Sequence, residues 1–199
     1  MGFAVKWSES LKKQSNTLER ITKNARVNAG ISKVEDIFRK TKGFHYFTGV
    51  GKNGHVAAHL ASTFNSLGIR SMFVDPVNTL HGDMGIFTDN DLVIAISKSG
   101  ETDELVRFLS ALKKMGFDNI ICVTSKNNSR IERLSKNSLI IPIEDEGDHI
   151  GNMAPIASTL SYLAVLQSIA VQLSSEKGFT KEDFLRSHPG GAIGRSSKE

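Results

Sequence analysis

Five short runs of this chain are apolar along nearly their whole length: Phe44–Thr48, Ile69–Val74, Leu92–Ser97, Asn119–Thr124 and Leu139–Ile143. A strand that shows apolar side chains on both faces has to be covered on both, so these runs do not suit a sheet with one wet face. Between them lie segments with helical spacing. A glycine-rich turn and helix run to about Leu67, and an amphipathic helix ends near Met115-Gly116. A short helix falls around Ser129–Ser135, a long one runs from Ala154 to about Ser174, and a last one spans Lys181–Arg186. Strand and helix in alternation predict an α/β fold, a three-layer α-β-α sandwich around a five-stranded parallel sheet, doubly wound in the flavodoxin manner. Ahead of the sheet, residues 1–43 read as two helices that pack on the core or on a neighbouring subunit. Leu11, Leu18, Ile21, Val34, Ile37 and Phe38 fall on one face, with a break expected at Asn28-Ala29-Gly30. Residues 44–195 form the main domain, and the polar residues 196–199 read as a tail.

Composition narrows the class of molecule. A length of 199 residues suffices for one core, and 39% hydrophobic with 23% charged residues is ordinary for a soluble globular protein. The net charge of +4 is spread out; the basic pairs Lys12-Lys13, Arg39-Lys40 and Lys113-Lys114 are scattered and form no block, which gives no nucleic-acid footprint. No apolar stretch reaches membrane-spanning length, and the first residues, Met1-Gly2-Phe3-Ala4-Val5-Lys6, lack the apolar core of a signal peptide. Cys122 is the only cysteine and is expected in the core, which excludes an internal disulfide. The expectation is a cytoplasmic enzyme or binding protein with no membrane and no nucleic-acid partner.

The chemistry concentrates where the third run ends. Asp91-Leu92-Val93-Ile94-Ala95-Ile96 passes directly into Ser97-Lys98-Ser99-Gly100-Glu101-Thr102, and a helix follows with Asp103-Glu104. Such a corner offers three hydroxyls, free backbone N–H groups and the positive end of a helix dipole, which together suit a phosphate. Glu101 stands within reach of whatever carries it. Gly49-Val50-Gly51-Lys52-Asn53-Gly54 formally matches a dinucleotide-binding G-x-G-x-x-G, with Asp75 at the end of the next strand. Lys52 obstructs the close backbone approach such a site needs, and Asp75 before Pro76 reads as a turn residue. The same glycines, Gly51 among them, better serve a tight turn that presents Lys52 to an anion or a developing oxyanion. His81-Gly82-Asp83, the acidic run Glu144-Asp145-Glu146-Gly147-Asp148-His149 and Ser187-His188-Pro189-Gly190-Gly191 complete the candidates. His45, His55, His59 and His149 carry no assigned role. No spacing suggests a closed metal site, so no metal and no cofactor is expected.

Taken in order, Gly49–His55, His81-Gly82-Asp83, Ser97–Thr102 and the ending Ser187-His188-Pro189-Gly190-Gly191-Ala192-Ile193-Gly194-Arg195 resemble the sugar isomerase (SIS) family. Within it they resemble the D-arabinose 5-phosphate isomerase branch, in the form without the pair of CBS domains that many members carry. The resemblance implies interconversion of D-arabinose 5-phosphate and D-ribulose 5-phosphate, supplying Kdo for lipopolysaccharide or capsule, by a homotetramer whose active sites lie at subunit interfaces. It further implies phosphate binding by Ser97, Ser99, Gly100 and Thr102, with Gly51 and Ser158 also at the substrate. Lys52, His81, Glu101, Glu146 and His188 match the family's catalytic positions. One departure stands out: relatives usually read Ala-Pro-Thr-Ser-Ser-Thr where this chain has Ala154-Pro155-Ile156-Ala157-Ser158-Thr159. The loss of two hydroxyls at that helix start bears on which sugar fits. Two other readings stay open: a SIS isomerase of a hexulose 6-phosphate or sedoheptulose 7-phosphate, and a non-catalytic phosphosugar-binding regulator.

An aldose–ketose isomerisation moves a proton between C2 and C1 through an enediol(ate), and needs a suitable base and an oxyanion donor. His188 or Glu101 is expected to move the carbon-bound proton, with His81 serving ring opening or protons at oxygen and Lys52 stabilising the enediolate.

Overall fold

A computed structural model describes residues 6–196; the expected polar tail beyond Ser196 and the first five residues lie outside the described part. Five strands form one parallel sheet in the order β2-β1-β3-β4-β5: β1 (His45–Gly49), β2 (Ser71–Phe73), β3 (Leu92–Ile96), β4 (Ile120–Thr124) and β5 (Asn137–Ile140). The helices are α1 (Trp7–Lys23), α2 (Ala25–Lys40), α3 (Lys52–Ser66), α4 (Asp103–Lys114), α5 (Arg130–Leu134), α6 (Ala157–Glu176), α7 (Lys181–Ser187) and α8 (Gly191–Ser196). Two short 3-10 turns, Asn78–His81 and Asp83–Ile86, follow β2. The fold class is the expected one.

Alternation along the strands builds the two layers. On β3, Leu92, Ile94 and Ile96 face α1, α2, α3 and α6, whereas Val93 and Ala95 face α4 and α5; all five are fully buried. On β4, Ile121 and Val123 face the first layer, and Ile120 and Cys122 the second. Burying each large side chain of this kind stabilises the fold by about 1.5–3 kcal/mol. α4 shows the pattern from the helix side, with Leu105, Phe108, Leu109 and Leu112 on its buried stripe and Lys113-Lys114 at the end that favours cations. Cys122 sits in the core as expected, and burial pushes its thiol up to about 12.

Several boundaries differ from the sequence expectation, each for a local reason. The break between α1 and α2 falls at Asn24, whose side-chain oxygen accepts from the N–H groups of Arg26 (3.0 Å) and Val27 (3.2 Å) and so caps α2. Asn28-Ala29-Gly30 lies inside α2 instead. Gly30 is there because a Cβ would stand 3.1 Å from the Leu139 side chain, so its absence lets α2 settle on β5. β5 ends early: the Ile141 N–H still donates to Thr124 at 2.8 Å, but the paired register stops at Thr124 and Ile140. α6 starts at Ala157 rather than Ala154: Ala154 precedes Pro155, which disfavours helical backbone, and the N–H groups of Ala154 and Ile156 are satisfied by the carboxylates of Asp148 (2.7 Å) and Glu146 (2.8 Å). Asp75 accepts from the N–H groups of Val77 (3.0 Å) and Asn78 (2.8 Å), which makes it the turn residue rather than a ribose ligand. The helical α8 was not foreseen.

His45 on β1 is buried between Phe38 and Phe64, and its two ring nitrogens face the carbonyls of Arg70 (3.2 Å) and Phe38 (3.4 Å). Burial outweighs these acceptors and holds the imidazole below its ordinary value of 6.5. The unfolded chain therefore binds the proton first as pH falls, and stability drops below about pH 6.5. Thermal unfolding between pH 7.5 and 5 is expected to show this decline, and His45→Phe should flatten it over the same window.

Candidate functional site

The site is positioned by where two neighbouring strands send their helices. β1 and β3 pair side by side, Gly49 opposite Ile96 at their carboxyl ends. From there β1 leads to α3 on one face of the sheet and β3 leads to α4 on the other. The loops diverge and leave a crevice between them, the place where open α/β sheets bind ligands. Gly51 and Lys52 rim it on the β1 side, and Ser97–Thr102 on the β3 side. Gly51 takes φ +59°, a glycine conformation, and starts α3, so that the exposed Lys52 occupies the first helical position.

The Ser97–Thr102 loop is held by its own hydroxyls. Ser97 Oγ lies 2.9 Å from Thr102 Oγ1 and accepts from the Gly100 N–H at 3.1 Å, while Ser99 Oγ accepts from the Glu101 N–H at 3.2 Å. Gly100, at φ +68°, packs so tightly on Ser129 that a Cβ would stand 2.3 Å from its hydroxyl. Thr102 is the N-cap of α4, yet it makes no capping bond because its hydroxyl is turned to Ser97. The first N–H groups of α4 have no intrahelical acceptor, and the dipole adds positive potential there. Glu101 does not point freely into the crevice. Its carboxylate accepts from the Arg130 backbone N–H (3.0 Å) and pairs with the Arg130 guanidinium (2.7 Å), and these bonds hold it below the usual carboxylate range.

Glu146 is placed differently from the rest of its acidic run. Asp145 accepts from Gly147 N–H and pairs with Lys13, Glu144 pairs with Arg20, and Asp148 takes the N–H groups of Ile150, Asn152 and Ala154. These three build the turn and seat α1 on it. Glu146 is fully buried, accepts from the N–H groups of Ile156 and Ser158 at 2.8 Å each, and pairs with Lys98 at 2.5 Å. Burial pushes its carboxyl up, but Lys98 and the N–H groups at the start of α6 outweigh that and leave it below its ordinary value. Lys98 belongs to the 97–102 loop, so one carboxylate ties that loop to α6. This pairing of Lys98 was not foreseen; a lysine between two serines of a phosphate loop was the available signal.

The structure thus gathers Gly51, Lys52, Ser97, Ser99, Gly100, Glu101 and Thr102 around the crevice, and joins Glu146 and Ser158 to them through Lys98. Among the described residues, buried side-chain oxygens that make no hydrogen bond include those of Thr48 at the end of β1, Asn53 in the first turn of α3 and Ser129 just before α5. His81, at the end of a 3-10 turn, is exposed. His188 caps α7, with Nδ1 2.8 Å from the Phe184 carbonyl and its ring stacked on Phe184 at 4.0 Å. These contacts hold His188 on its own helix, away from the bonds that knit the crevice loops together. Among the described residues no cluster of three or more His, Cys, Asp or Glu is placed to hold a metal, and no helix is long and apolar enough to cross a membrane.

Two substitutions probe this construction. Gly100→Ala forces a side chain into Ser129 at a left-handed φ and should destabilise the fold by about 2–3 kcal/mol in urea titrations. Lys98→Met strands a buried carboxylate and should cost about 2–3 kcal/mol at pH 7, below the ~3–5 kcal/mol of fully buried pairs because the Lys98 side chain is 29% exposed. Since Glu146 is held below its ordinary value of 4.5, its contribution is present at neutral pH and fades as pH falls through the lowered value. The gap between Lys98→Met and wild type should therefore close in acid.

Comparison with known proteins matches residues 38–172 to the SIS domain. The chain is 41% identical over 154 residues to arabinose 5-phosphate isomerase KdsD of Shigella flexneri, covering 77% of this chain and 46% of that protein. It is 34% identical over 188 residues to arabinose 5-phosphate isomerase KpsF of Escherichia coli, covering 94% and 56%. It spans about half the length of these curated relatives. Among solved structures, a protein of E. coli CFT073 in complex with arabinose 5-phosphate superposes with a TM-score of 0.86 at 34% identity, covering 92% of this chain and 95% of that one. The matched segment contains the whole crevice, from Gly51 to Ser158, and the chain belongs to the SIS domain family.

Proposed function

We propose that this chain is an aldose–ketose isomerase that interconverts D-arabinose 5-phosphate and D-ribulose 5-phosphate. The observation that carries the reading is the hydroxyl loop at the β1–β3 crevice, backed by the uncapped start of α4 and faced by Lys52. Its likeness to proteins named for this activity supports it. The phosphate binds Ser97, Ser99, Gly100 and Thr102, displacing hydroxyl–hydroxyl contacts. Anchoring this remote end orients the reacting carbons.

The local electrostatics divide the work. Glu101 is held ionised by Arg130 and is a weak base. His188 is then the group that moves the proton between C2 and C1, and its Nδ1, occupied by the Phe184 carbonyl, leaves Nε2 for the substrate. Lys52 stabilises the enediolate oxygen, and His81 serves protons at the sugar oxygens. Glu146, being buried, acts through Lys98 and the start of α6, where Ser158 offers its hydroxyl. The product feeds Kdo synthesis in the cytoplasm.

His188 lies at the end of α7, which buries none of its residues, and α6 leaves Val171 59% exposed. Both features favour a homotetramer in which His188 completes a neighbour's crevice.

Arabinose 5-phosphate should be turned over in a coupled assay, with ribose 5-phosphate and fructose 6-phosphate much poorer; turnover of fructose 6-phosphate alone would assign a different sugar, and binding without turnover a regulator. His188→Ala and Lys52→Ala should each lower kcat by roughly 100-fold or more. Mixing and refolding the two inactive variants together should restore part of the activity if the sites are shared between subunits, and none if each chain is self-sufficient.

A further inference from the structure

The entry to α4 carries a cluster of carboxylates beside the phosphate loop. Glu101, Asp103 and Glu104 all stand beside the loop that offers its hydroxyls and N–H groups. Two of these carboxylates share one cation. Arg130 places Nε 2.7 Å from Glu101 Oε2 and an amino group 2.7 Å from Asp103 Oδ1, and it also donates to the Glu101 backbone carbonyl. Its own N–H donates to Glu101 Oε1 at 3.0 Å. Arg107 and Arg133 add positive potential at longer range.

The guanidinium is delivered from a fixed seat. Arg130 is the first residue of α5, Gly100 packs on Ser129 just before it, and the N–H of the fully buried Ile131 donates to the Gly100 carbonyl at 3.1 Å. The three charged side chains are themselves 39–68% exposed, so their pairing adds little to fold stability. Its effect falls on the local field. A planar fork suits two carboxylates and a carbonyl at once, which a lysine does not match.

We propose that Arg130 is a positioning residue for the phosphate end of the substrate: it draws the Glu101 and Asp103 carboxylates onto α5 and offsets their charge, so that the loop and the α4 dipole receive a dianion. This rests on the reading of residues 97–102 as a phosphate anchor. The clamp also engages both Glu101 carboxylate oxygens, Oε1 with the Arg130 N–H and Oε2 with its guanidinium.

The test uses inorganic phosphate as the probe, by calorimetric titration of the full chain and by competition against arabinose 5-phosphate turnover. Arg130→Met should weaken phosphate binding and raise KM on the order of tenfold, with kcat changed far less and thermal stability nearly intact. Arg130→Lys should recover part of the affinity. Adding Asp103→Asn to Arg130→Met should also recover part, because it removes the repulsion itself. Unchanged phosphate affinity in Arg130→Met, or a loss that Asp103→Asn does not relieve, overturns the proposal. If Arg130→Met does not fold, Arg130→Gln, which keeps a donor, decides by the same criteria. Wild-type chain that binds phosphate in an Arg130-dependent way without turning over any sugar would leave this inference standing and remove the isomerase reading. Intact turnover with no Arg130 dependence would do the reverse.

Discussion

The parallel pairing of β1 with β3, chain-distant strands that send their helices to opposite faces, is the constraint on which the rest depends. Five residues of each strand pair in register, and the two loops leaving that pair have no choice but to part. Everything with chemical potential in the crevice is placed by this parting: Lys52 by the start of α3, the hydroxyl loop by the start of α4. The apolar alternation of β3 and β4 then locks the layers above and below, so the crevice has rigid walls.

How far the sequence disclosed this depends on the range of the interaction involved. Fully apolar strands and the β3–loop–α4 corner were legible because they are local patterns with one physical meaning. The differing boundaries have causes at a distance or in side-chain capping: Gly30 lies inside α2 where the helix meets Leu139 of β5, and Asn24 breaks the helices by capping α2 with its carboxamide.

The same distinction runs through the site. Residue types point to Ser97, Ser99 and Thr102 as an anion corner and to Lys52 as a cation beside a glycine turn, and the fold sends these two loops out from neighbouring strands. What the sequence could not disclose was how charges are shared, because Glu101 meets Arg130 and Glu146 meets Lys98 only after folding. Both glutamates read as free acid/base groups in the linear chain, and in the fold both already hold a cation.

The acidic turn at 144–148 has one more implication. Lys13 and Arg20 of α1 grip Asp145 and Glu144, and Thr17 donates to the Asp145 carbonyl, so the first helix holds the peptide that immediately precedes Glu146. A helix on the outside of the fold and the loop at the crevice are therefore tied to consecutive residues of one turn, Asp145 and Glu146.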